Sequence, residues 1–118
     1  MPGVDTRLMS TAATAYGVAL LEDVRMGPAI VEYLERIDAT LEPHGGRFVV
    51  HGARPEMLEG SSPGTMVVIQ FPDSAQAHGW YDSAAYREIL ALRTENSSST
   101  VFIVDGVGED HRATDVLR

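Results

Sequence analysis

Arg47 and His51, four residues apart in the run His44-Gly45-Gly46-Arg47-Phe48-Val49-Val50-His51-Gly52, are the side chains of this sequence best equipped for acid–base work. A guanidinium presents a fixed fork of donors to a carboxylate or enolate oxygen, and an imidazole can give or take a proton near neutral pH. On a strand rising ~3.3 Å per residue their Cα atoms stand about 13 Å apart. That is too far to grip one ligand atom and close enough to line one cavity, with Arg47 as oxyanion clamp and His51 as general acid or base. Gln70, in the apolar run that follows, falls on the same face of a neighbouring strand. Trp80, Tyr81 and Tyr86 form an aromatic cluster, and Tyr33 projects toward the same space from a helix. Together they read as the wall of an apolar pocket with a few hydroxyls. Each residue also has a plainer use. Arg47 can pair with an acid across a subunit interface, His51 can close a strand end, and large aromatics commonly fill cores.

The residues that are missing narrow the chemistry further. The chain has no cysteine, which removes disulfides, thiolate nucleophiles and iron–sulfur ligation. All nine basic residues are arginine, so Schiff-base formation and a phosphate-loop lysine are absent too. The four histidines, His44, His51, His78 and His111, show no tight metal-ligand spacing. His44 reads as a helix C-terminal residue placed on the negative end of the dipole, and no motif calls for haem. The sequence therefore predicts neither metal nor cofactor. A net charge of -8 over 118 residues disfavours nucleic acid and anionic membranes, whose recognition needs clustered cations. No apolar run approaches the ~20 residues of a membrane span. The first fourteen residues lack a signal-peptide core, and a soluble, cytoplasmic protein is expected.

The elements that must position these side chains follow from periodicity and punctuation. A small, polar arm with no periodicity, expected to be disordered, occupies 1–14, a single domain 15–107, and a charged tail 108–118. Ala15 to Val24 fits a first strand. Gly27-Pro28 opens a helix whose Ile30, Tyr33, Leu34, Ile37 and Leu41 recur at three and four. Pro43 and Gly45-Gly46 end it. Arg47 to Gly52 and Thr65 to Phe71 are the second and third strands. Asp73, three residues before Gln76, starts a second helical region that runs to Leu92. Asp82-Ser83 interrupts it, with Ser83 able to cap a new turn. Thr100 to Gly106 is the fourth strand. The order is the ferredoxin-like βαββαβ arrangement: an α+β, four-stranded antiparallel sheet with two helices on one face.

Helices cover only one face of such a sheet. Strict alternation puts Phe48 and Val50 on one side of the second strand and Arg47, Val49 and His51 on the other. In the third strand Val67, Ile69 and Phe71 oppose Met66, Val68 and Gln70. The first set suits the helices. The second would leave a mixed, partly apolar face bare on a monomer, and a homodimer through this open face buries it.

Over roughly Tyr16 to Val107 the chain resembles the domain of unknown function 1330 family. The residues that carry the resemblance are HGGRFVVHG, MLEG at 57–60, VVIQFPDSAQAHGWYDSAAYREIL and a closing strand ending in VDGV. The resemblance implies a ferredoxin-like protomer that pairs into a dimeric α+β barrel. That superfamily includes cofactor-free monooxygenases, muconolactone isomerases and haem-dependent relatives, while the family itself has no generally assigned reaction. Its second strand often ends in RGG where this chain has His51-Gly52-Ala53, a fixed charge exchanged for a titratable one. Two expectations follow. One is a cofactor-independent isomerase, cyclase or monooxygenase acting on a small aromatic or polyketide-like molecule. The other is a non-catalytic homodimeric ligand-binding or assembly module.

Overall fold

A computed structural model describes residues 13–118; the disordered arm expected over 1–14 lies outside this range but for its last two residues. The chain runs β1 (Ala15–Glu22), α1 (Pro28–Leu41), β2 (Arg47–Ala53), β3 (Thr65–Phe71), α2 (Ser74–Asp82), α3 (Ala84–Thr94) and β4 (Ser98–Asp105). Short 3-10 turns follow α1 at Glu42–His44 and close the tail at Ala113–Leu117. Strand order is β2-β3-β1-β4, with every neighbour antiparallel. This is the α+β ferredoxin-like topology.

Local chemistry sets the boundaries. Pro28 occupies the first turn of α1, where its missing N–H costs nothing. At the other end Gly45 takes φ 69°, and the Gly45 and Gly46 amides reach back to the carbonyls of Glu42 and Leu41. That left-handed residue releases the chain into β2. The second helical region is two helices rather than one. Ser83 is extended, caps α3 by accepting from the Tyr86 amide at 3.2 Å, and so breaks the axis after Asp82. Asp73 caps α2 through the Gln76 amide at 2.9 Å. β4 starts two residues earlier than its apolar run, because Ser98 and Ser99 pair with Glu22 and Leu21 at the end of β1.

The core sits between the sheet and the helices. Ala15, Ile69 and Phe71 rise from the sheet to meet Tyr33, Ile37 and Leu41 of α1, Ala77 and Trp80 of α2, and Tyr86 and Ile89 of α3. Leu34, expected within the buried stripe of α1, is instead 42% exposed. The opposite face carries Tyr16, Val18 and Leu20 of β1 in register with Gln70, Val68 and Met66 of β3 and with Val104, Phe102 and Thr100 of β4. Among the described residues nothing covers Phe102 and Val104, which are exposed.

Strict alternation fails along β2. Phe48 opposes Ile69, Val50 opposes Val68 and His51 opposes Val67, so Val49 and then Gly52 are unpaired insertions. Each is a β-bulge, the second with Gly52 at φ 82°. One extra residue between Phe48 and His51 brings both to the helix-covered face. Arg47, opposite Gln70, stays on the open face.

Candidate functional site

The sheet and helices do not close completely over one another. They leave a cavity of about 110 Å³, lined among others by Val67 and Ile69 of the sheet, Tyr33 and Ile37 of α1, Trp80 and Tyr81 of α2, and Tyr86 and Arg93 of α3. Its wall is overwhelmingly apolar. The volume is of the order of the ~150 Å³ void that admits a single benzene ring. His51, Val24 and Leu34 also line it, and because all three are exposed they mark its mouth.

The aromatic cluster is held rigidly. Trp80 Nε1 donates to Thr40 Oγ1 at 2.9 Å, and the Thr40 hydroxyl donates to the Ile37 carbonyl at 2.6 Å. This relay fixes the indole against α1. The Trp80 and Tyr86 ring centroids are 4.1 Å apart, and Tyr81 lies 5.6 Å from Tyr86. Tyr33 and Tyr86 meet edge to face, and their hydroxyls share a buried 2.7 Å hydrogen bond. Burial and the adjacent Tyr86 hydroxyl push the Tyr33 pKa above the ordinary tyrosine range, so the phenol stays protonated.

At this polar end lies Arg93, only 7% exposed. Its Nη1 donates to Ser99 Oγ at 2.6 Å and its Nη2 to the Tyr86 hydroxyl at 3.5 Å. Burial works against the charge, and the Tyr86 and Tyr33 hydroxyls outweigh it, so the Arg93 pKa is raised and the group remains a cation. As the last basic residue of α3 it reads from the sequence only as a dipole partner. Helical spacing carries a further signal, because Arg93 falls four residues after Ile89 and seven after Tyr86, on their buried stripe. Thr40, buried at 6% exposure, carries the same signal, three residues after Ile37 and seven after Tyr33.

His51 stands at the opposite, solvent-reachable side, its ring stacked on Phe48 at 4.2 Å between centroids. Tyr33, Trp80, Tyr81, Tyr86 and His51 thus meet around one cavity. Arg47 and Gln70 do not join them. The Val49 bulge sends His51 to one face of the sheet and leaves those two on the other, so Arg47 does not line the cavity that His51 borders. Asp82 pairs with Arg87 at 3.0 Å on the surface. Among the described residues no three His, Asp or Glu side chains gather as a metal site, and no helix is long and apolar enough to cross a membrane.

The sequence model of a family described as Domain of unknown function (DUF1330) matches residues 14–107. No curated protein matches the chain. Among solved structures, a protein of unknown function from Rhodopseudomonas palustris superposes with a TM-score of 0.60 at 16% identity, over 92% of this chain and 95% of that one. A variant of SnoaB from Streptomyces nogalater, described as a cofactor-independent oxygenase, gives 0.58 at 14% identity, covering 86% and 98%. A dimeric ferredoxin-like protein of unknown function from Jannaschia sp. CCS1 gives 0.55 at 11% identity, covering 79% and 99%. These likenesses are likenesses of fold.

Proposed function

The chain belongs to the DUF1330 family, and on that premise we propose that its cavity is the site of a cofactor-independent isomerase, cyclase or monooxygenase acting on a small aromatic molecule. The observation that carries the reading is the convergence of an apolar wall, a hydroxyl pair and a solvent-reachable imidazole on one space between sheet and helices. All three reaction types share one step, removal of a proton from an enolisable or phenolic substrate by a protein base. His51 at the mouth is that base. Trp80, Tyr81 and Tyr86 pack on one another as one aromatic wall for the ring, and Tyr33 and Tyr86 offer hydroxyls to its oxygen. The volume favours a single ring over a fused polyketide. SnoaB, an oxygenase described as cofactor-independent, supports the reading as an enzyme of similar fold.

The working unit we propose is a homodimer joined through the open face. Tyr16, Val18, Leu20, Met66, Val68, Phe102 and Val104 form an apolar field there, with Arg47 and Gln70 at its edge, and the Jannaschia protein of similar fold is described as dimeric. That face also favours the second reading, a dimeric module that binds or assembles without turnover.

One experiment separates the two. One-ring phenols, aromatic ketones and lactones are screened in air with no added cofactor, against wild type and His51→Ala. The enzyme reading expects consumption of at least one compound, slowed about 100-fold in the variant, with unfolding free energy within about 1 kcal/mol of wild type. Binding without turnover supports the module. Loss of several kcal/mol in the variant assigns His51 to structure.

A further inference from the structure

Resting on the reading of the cavity as a small-molecule site, we infer that Arg93, with the hydroxyls of Tyr33 and Tyr86, is an anion subsite, and that the cavity takes a one-ring aromatic carrying an acidic oxygen, as a carboxylate, phenolate or enolate. The argument starts from an unbalanced charge. Arg93 is 93% buried, yet both of its hydrogen bonds go to neutral hydroxyls, those of Ser99 and Tyr86. The ion pairs among the described residues involve Arg36, Arg87, His111 and Arg118, and none reaches Arg93. Burying a guanidinium without an anion costs several kcal/mol, and natural cores rarely keep one unpaired.

The C-terminal dipole of α3 offsets part of that charge. It cannot occupy the remaining N–H donors of the fork, which has five. Arg93 itself lines the apolar cavity, and its guanidinium is bonded to the hydroxyl of Tyr86, which lines the same space. The 3.5 Å bond to Tyr86 is long, so a ligand oxygen that accepts from this nitrogen displaces a weak contact rather than a strong one. An acidic oxygen there would draw a charge-assisted bond from the fork and neutral bonds from the phenols. The opposite end of the ring would then point toward Trp80 and the mouth. Arg93 thereby takes the clamp role for which the sequence offers Arg47.

The probes are benzoate and its neutral isostere benzamide, followed by quenching of Trp80, the single tryptophan of the chain and part of the cavity wall. Wild type is expected to bind benzoate at least tenfold more tightly than benzamide. Arg93→Gln should bring the two affinities together by weakening benzoate alone, and Arg93→Lys should keep most of the preference. Equal affinities in wild type, or a preference that survives Arg93→Gln, would overturn the anion subsite while leaving the cavity a binding site. If neither probe binds wild type, the small-molecule reading itself fails. The wild-type comparison decides against the subsite without any variant, so a misfolded Arg93→Gln does not block the test.

Discussion

Burial of polar side chains is what distinguishes the cavity residue by residue. Tyr33 illustrates how such a group reports on its surroundings. Its folded pKa lies above the ordinary value of 10.0, so above that pH the unfolded chain releases a proton that the folded chain retains. Stability from this group is therefore whole below pH 10 and falls as pH rises beyond it. Chemical unfolding of wild type and Tyr33→Phe across pH 8 to 11 should show a steeper alkaline decline in wild type; parallel curves would mean that the phenol titrates alike in both states. At this scale the sequence was informative about residue type and silent about partners. The aromatic cluster was legible because Trp and Tyr at a helix break have few other places to go. Arg93 was hidden because a basic residue at a helix end has an ordinary explanation, and only its phase with Tyr86 and Ile89 argues otherwise.

Elements were more legible than their phase. Capping residues, glycines and apolar spacing located every strand and helix to within a few residues, and Ser83 was visible as the break between α2 and α3. Ser83→Ala removes the bond to the Tyr86 amide and should cost about 1 kcal/mol, read as a lower denaturation midpoint with an unchanged m-value. The β2 bulges were not legible. Alternation carries no record of an inserted residue, and one insertion at Val49 reverses the faces of Val50 and His51 until the second at Gly52 restores the phase. Gly52 is the exception, since a glycine late in a strand is a known bulge former. Because it sits at φ 82°, Gly52→Val should destabilise the fold by about 1–2 kcal/mol. A neutral Gly52→Val in the same unfolding measurement would contradict the assigned backbone.

The whole molecule has two apolar surfaces, one on each side of the sheet. One is the cavity under the helices; the other is the apolar open face, whose bare Phe102 is 42% exposed. A face of that kind is foreseeable from a sheet with too few helices to cover it, although alternation puts His51 there and Val50 beneath the helices, and the register exchanges the two. Phe102→Asp places a charge in its midst and should convert a dimer into a monomer in sedimentation at micromolar concentration, with the fold intact by circular dichroism. A wild-type protein that sediments only as a monomer would remove the dimer from the account. The separation of the two surfaces makes the central claim easy to test. Crystals grown from protein purified gently out of its native cells should show density for a small planar molecule between sheet and helices, stacked against Trp80 and Tyr86 with an oxygen toward Arg93. A ligand held instead between paired sheets, against Arg47 and Gln70, would contradict it.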